Sequence, residues 1–491
     1  MKEGKAVRSV THNFIMNAFL MGSNILFPML TYPYVSRILM PYGMGQVSFA
    51  NAVITYFTMF AQLGIPTYGI RVCAKVRDDK EALSRTVHEL LVISGITCGL
   101  SYAVFFLAVS MNERLRQEKT LFLVMSVAVL FHTIGVEWLY KGLEQYTYIT
   151  VRSVAFKFLA FAGIFIFVHE KADYIIYGFL TVFALTGSYA MNFLRLRKII
   201  FLRPVGGYRF RRHLKPIFVF FAMSVATTIY TNMDSVMLGF MKGAEENGFY
   251  DAAIKIKNIL VSLVTSLGTV LLPRVSYYWE KGERETFWRL ARTAAAFELL
   301  TAGALALFFI LYAEPTVYLV SGRLFERSIL PMQIIMPTLL LIGLSNITGI
   351  QIMIPMGMEK YVLYSEIAGA AVNLAANSML IPKFGASGAA VGTLLAETLV
   401  LLVQLWVLRA HLGRLFGGIQ TGKMLAAAAI AAAAGIFVLH GTEGSLLRLL
   451  LGGCAYFGLY AIVLAVCRET TFGYCMGKVI GLWKTRLGNR H

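Results

Sequence analysis

Charged side chains set in or beside apolar runs are the groups of this chain with the capacity for chemistry. The earlier runs carry Arg37, Arg71, Glu137 and Lys157; the later ones carry Asp234, Asp251, Lys255, Lys257, Glu298, Glu366 and Glu397. An ionisable group inside a bilayer is costly unless paired or wet, so each marks a cavity, a partner or an interface. The cations Arg37, Lys255, Lys157 and Arg71 suit an anion, and the carboxylates Asp234, Asp251 and Glu397 suit a coupling ion or proton. Asp234 sits in Thr231-Asn232-Met233-Asp234-Ser235, four polar groups deep in a span. A carboxylate there must be protonated, ion-paired or hydrated; a bond to Lys255 across a repeat interface is the structural alternative. Asp251 and Lys255 are four apart and can pair on one helix face. Snorkelling to the interface accounts equally for Arg37 and Lys255. Arg71 and Arg274 fall at span ends where basic residues collect in any case. Glu366 and Glu397 suit hydrogen bonds between helices. Asn51 and Asn232 could line a polar lumen, or act with Asn17, Asn24, Asn192, Asn373 and Asn377 as glue between helices.

The elements that must position these groups are membrane helices. The 491 residues are 57% hydrophobic and 14% charged, against about 45–50% and about 25% in soluble domains, and the apolar residues come in runs of about 20, the length of a bilayer span. Periodicity and length predict an all-α polytopic membrane protein of about 14 transmembrane helices. The first run is too long for a cleaved signal segment and reads as a retained span. A net charge of +19 would point to nucleic acid in a soluble protein. Here Lys and Arg pile up in alternate loops, which places both termini in the cytoplasm. The expected organisation is an N-terminal six-helix lobe (1–195), a basic cytoplasmic linker (196–215), a second six-helix lobe (216–410), and two further helices with a basic tail (411–491). That tail carries Lys478, Lys484, Arg486 and Arg490.

The stretch from Thr31 to Asn51 organises the first lobe. Pro33 should end one helix with a kink; Gly43 and Gly45 should allow a tight reversal; a second apolar run then reaches Leu63. The pattern returns. Gly45 precedes a helix that ends at Leu63-Gly64 before Arg71, and Gly248 precedes one that ends at Leu267-Gly268 before Arg274. An offset of six spans requires parallel repeats about an axis along the membrane normal, with a central cavity between the lobes. Gly95-xxx-Gly99 and Gly388-xxx-Gly392 read as close helix packing.

Pro28, Thr31-Tyr32-Pro33-Tyr34, Arg37-Ile38-Leu39, Gly43, Gly45 and Ser48-Phe49-Ala50 together resemble the entry signature of polysaccharide-unit flippases, the Wzx-type O-antigen transporters. These belong to the multidrug/oligosaccharidyl-lipid/polysaccharide exporter superfamily. Leu63 to Lys75, Asp234 to Ile256, Pro273-Arg274, and Leu380 to Ala390 with Glu397 fit in the same order. The resemblance implies a polytopic transporter of the cell (inner) membrane. It would move polyprenyl-diphosphate-linked oligosaccharide units outward by alternating access, for surface polysaccharide biosynthesis. Fixed cations would then meet the diphosphate and polar side chains the sugars, with H+ or Na+ as coupling ion and a polysaccharide polymerase complex as partner. A lipid II flippase would use the same cationic lumen with different headgroup pockets. A cation-coupled multidrug antiporter would need an acidic, aromatic cavity. A membrane-bound polymerase or glycosyltransferase would need a large extramembrane loop bearing acid/base or metal-binding residues, and the loops are short. No cofactor, metal site or nucleic-acid partner is expected. Gly417 to Lys423 has phosphate-loop spacing, but Met424 stands where a hydroxyl should hold magnesium. Cys73, Cys98, Cys454, Cys467 and Cys475 have no metal-ligand spacing.

Overall fold

The computed structural model describes residues 10–474 and 476–477, which are helical with no strand. Cys475 and the basic tail residues Lys478, Lys484, Arg486 and Arg490 lie outside them. Eleven helices matter here: α1 (Val10–Gln62), α2 (Ile65–Lys75), α3 (Lys80–Met111), α4 (Lys119–Ile134), α5 (Tyr146–Phe167), α6 (Arg211–Met241), α7 (Ala244–Glu280), α8 (Arg284–Leu311), α9 (Glu359–Val407), α10 (Thr421–Gly441) and α11 (Ser445–Val466). Among the described residues ten helices are long and apolar enough to cross a membrane, or twelve if each of two bent pairs is one span. About fourteen were expected. The difference lies in α1 and α9, where neighbouring expected spans run on as one helix, each interrupted by one non-helical residue, Met40 and Gly385.

Two compact units form, Met1–Gly248 and Phe249–His491. In the first, α1 is the central helix, packed against α3, α4, α5 and α6. Phe49 is buried in its wall, edge-on to Phe122 at 5.7 Å and to Phe240 at 5.0 Å. In lipid there is little hydrophobic drive between helices, so close van der Waals packing must hold them. The second unit shows this plainly: α8 buries Ala291, Ala294, Ala295, Ala302 and Ala304. The last two helices are tied in by tyrosines. Tyr312 donates to the Gly435 carbonyl at 2.6 Å, and Tyr456 and Tyr460 donate to carbonyls of α8 at 3.1 and 2.9 Å. Large apolar side chains such as Met379, Leu425 and Phe437 are exposed, as a surface facing acyl chains requires.

Three local expectations are corrected. The chain does not kink at Pro33. It breaks at Met40 (φ 59, ψ 179), the residue before Pro41, a position that proline biases away from helix. Gly43 and Gly45 are not a reversal; they lie within helix beyond the break. A Cβ on Gly45 would run into the backbone of Ala244 and Gly248, and one on Gly248 into that of Pro41. The two glycines matched in the internal repeat therefore meet each other. Gly95 and Gly99 have nothing within 4 Å of where a Cβ would stand, whereas Gly388 abuts the Leu380 backbone and Gly392 the Asn377 side chain; of the two glycine pairs, only the second packs closely.

The end of α1 matches its expected place. Leu63 (φ 46) and Gly64 (φ 75) are left-handed, and Pro66 falls in the first turn of α2, where its missing N–H is harmless. α7 bends by 41° between Ser266 and Leu271, across Gly268, the glycine that the sequence pattern aligns with Gly64. Asp79 caps α3 by accepting from the backbone N–H groups of Glu81 (2.9 Å) and Ala82 (3.1 Å). Asp79→Ala should cost about 1 kcal/mol, read as a small drop in thermal midpoint in detergent; an unchanged midpoint would show the cap idle.

Candidate functional site

A cavity of about 410 Å³ opens in the first unit between α1, α4, α6 and the turn of π-helix at 183–187. One wall is a stripe on α1: Asn51, Thr55, Thr58 and Gln62. Steps of four, three and four residues put all four on one helix face. Ser224 and Thr228 of α6 also line it, as do His132 of α4 and Thr186. Ile54, Met59, Val182 and Leu185 supply the apolar surface.

Some of these polar groups are occupied. Thr55 donates to the Asn51 carbonyl at 2.7 Å, Thr186 to the Val182 carbonyl at 2.8 Å, and Gln62 to the His132 carbonyl at 3.2 Å. The side chains of Asn51, Thr58, Ser224 and Thr228 have no hydrogen-bond partner among the described residues. Amide and hydroxyl groups left unspent on a concave wall are suited to a hydroxyl-rich ligand. No Lys, Arg, Asp or Glu is among the lining residues.

Asn51 is thus on the wall. Asn232 is one turn along α6, donating to Thr231 Oγ1 at 2.8 Å and to the Thr228 carbonyl at 3.3 Å. Asp234 is half-buried on the same helix and within electrostatic range of Tyr56 on α1. The expected cations lie elsewhere. Arg37 is exposed before the Met40 break, and its guanidinium donates to the Pro33 carbonyl. Arg71 is exposed on α2. Lys157 is buried on α5, its ammonium donating to Ser23 Oγ at 2.9 Å and to Asn24 Oδ1. In the second unit Lys255 is exposed on α7, while Asp251 and Glu397 are buried on α7 and α9.

A family model described as polysaccharide biosynthesis protein matches residues 10–279. The chain belongs to that family. It is 27% identical over 404 residues to a candidate O-antigen transporter of Escherichia coli (strain K12), covering 82% of this chain and 97% of that protein. A candidate O-antigen transporter of Shigella dysenteriae is 24% identical, with 80% and 98% covered. Among solved structures, the lipid II flippase MurJ in an inward closed conformation aligns with a TM-score of 0.70 at 15% identity, covering 93% of this chain and 99% of that one. An inward-facing multidrug resistance transporter of the MATE family gives 0.61 at 14%, with 82% and 98% covered. These likenesses fix the fold as that of polytopic membrane transporters.

Within this family member, several polar positions escaped the reading by charge. Thr55, Thr58 and Gln62 were legible as a helical stripe beginning at Asn51, and Ser224 and Thr228 as another running toward Asn232. Arg152 carries the same signal as Lys157, a charge inside one apolar run. It is buried on α5, donating to the Ser188 carbonyl at 3.0 Å with Tyr148 and Tyr189 each 5.5 Å away. Glu137 pairs with Lys141 at 2.8 Å, four residues on.

Proposed function

We propose that this protein is a flippase that moves polyprenyl-diphosphate-linked oligosaccharide units from the inner to the outer leaflet of the cell membrane. The observation that carries this reading, beside family membership, is the cavity walled by uncommitted amide and hydroxyl groups. Such a wall suits sugar hydroxyls, and its lack of acidic residues disfavours a cationic drug as cargo. Arg37, Lys255, Lys157 and Arg71 would draw the diphosphate, by charge and, for arginine, by bidentate contact. Asp234, Asp251 and Glu397 would serve H+ or Na+ coupling. Both termini would face the cytoplasm, the two six-helix lobes would alternate access, and a polymerase complex would receive the product. No covalent step is required.

Asn51→Leu, Thr58→Val and Thr228→Val together remove three hydrogen-bonding groups with little change of volume. If each is worth about 1 kcal/mol to the sugar, outward movement of a fluorescent lipid-linked oligosaccharide in proteoliposomes should slow by roughly a hundredfold. A triple variant that folds and transports at the wild-type rate would remove this cavity from the substrate path.

A further inference from the structure

A second cavity of about 430 Å³ lies in the Phe249–His491 unit, where the end of α7 meets the start of α8. Pro273 and Leu290 give it an apolar base; Arg274, Arg289, Tyr277, Tyr278 and Thr286 supply its polar groups. Among the described residues neither guanidinium has an ion-pair or hydrogen-bond partner, and the hydroxyls of Tyr277, Tyr278 and Thr286 have none either. Every polar side chain on this wall is a donor with no acceptor among the described residues. Glu280, Glu283 and Glu285 are on the adjoining turn but do not line the cleft.

Neighbouring cations are engaged otherwise. Arg284 lies 3.3 Å from the Trp279 ring centre and donates to the Trp279 carbonyl at 3.2 Å; Arg292 donates to the Arg414 carbonyl at 3.0 Å; Lys281 stands 4.8 Å over Tyr277. Simple accumulation of positive charge at a span end would not distinguish Arg274 and Arg289 from these. Convergence of two open guanidiniums and three hydroxyls on one volume does. Arginine's planar fork matches phosphate oxygens. The surrounding Tyr277, Tyr278, Trp279 and Trp288 are the residue types that collect at the membrane–water boundary, the depth at which lipid phosphates lie.

We infer that this cleft binds the phosphate of an anionic lipid headgroup. The site shares no lining residue with the cavity of the first unit, and its test reads binding and not translocation, so it can fail or succeed whatever the chain transports. The full-length protein in nanodiscs is titrated with three probes: phosphatidylglycerol, polyprenyl diphosphate and inorganic diphosphate. In the Arg274→Ala/Arg289→Ala variant, affinity for a lipid probe should fall by about tenfold or more, the loss of a charge-assisted contact. Lys281→Ala/Arg284→Ala, which removes two charges outside the cleft, should change it by no more than about twofold. A loss confined to polyprenyl diphosphate identifies a lipid carrier as the ligand; a loss that includes phosphatidylglycerol identifies the bilayer. Equal losses in the two double variants, or inorganic diphosphate binding as tightly as either lipid, would overturn the inference.

Discussion

Glu89→Ala should be among the most damaging single substitutions in the first unit, lowering its stability by about 3–5 kcal/mol. Glu89 is fully buried near the start of α3, yet the carboxylate receives three donors from residues over a hundred positions away: His213 Nε2 at 2.6 Å, Arg212 Nη2 at 2.7 Å and the Arg209 backbone N–H. With its proton on Nε2, the His213 ring donates to Glu89 and accepts at Nδ1 from the Tyr68 hydroxyl, 2.8 Å away. Around this centre the connector lies down on α3: Phe201 N–H donates to Ser84 Oγ at 2.9 Å, Arg85 to the Gly206 carbonyl at 2.9 Å, and Lys80 stands over Phe201. Alanine would leave a buried imidazole and a backbone donor without their acceptor and an empty space beside them. Glu89→Gln keeps an acceptor oxygen but loses the charge, and should cost clearly less. Trypsin reads the effect directly, since Arg203, Arg209, Arg211 and Arg212 are cleavable once the connector lifts. Cleavage and thermal midpoint at wild-type levels in Glu89→Ala would show that the clasp holds nothing.

That clasp marks the limit of what the sequence made legible. Membrane helices announced themselves because a bilayer demands about twenty apolar residues at a time, and the end of α1 at Gln62 followed from Leu63-Gly64 and Pro66. The basic run Arg195–Lys215 looked like a linker or an acidic-lipid contact. Nothing local says that three of its residues reach back to Glu89, because that pairing depends on tertiary geometry. Prolines misled for a related reason. Pro28, Pro33 and Pro41 all lie within α1, but only the last coincides with a break, and it is there that α7 begins to pack. At the cavity, charge was the wrong filter. Asn51 stands out as an amide in an apolar run, whereas Thr55 and Thr58 on the same face do not, because threonine is unremarkable in an apolar helix.

Gly45 is where a single carbon should do the most harm to the framework. Its Cα faces the head of α7 so closely that an added Cβ would lie 2.7 Å from both the Ala244 carbonyl carbon and the Gly248 nitrogen and would overlap the Ala244 carbonyl oxygen. These are backbone atoms, so no rotamer change can relieve the contact; the helices themselves must separate. Separation would also strain the bond from Asn247 Nδ2 to the Gly45 carbonyl, now 2.9 Å. Overpacking of this kind costs about 1–3 kcal/mol or more, with the weakened hydrogen bond adding about 1 kcal/mol, so Gly45→Val should lower the unfolding midpoint markedly and depress transport with it. Gly248→Ala acts on the same contact from the other side, against the Pro41 carbonyl. Once one Cβ has forced the helices apart, the second meets an opened gap. The Gly45→Ala/Gly248→Ala double variant should therefore be less destabilised than the sum of the singles, by an amount that measures their coupling. Strict additivity, or a Gly45→Val protein as stable as wild type, would mean that the two repeat glycines do not share one interface.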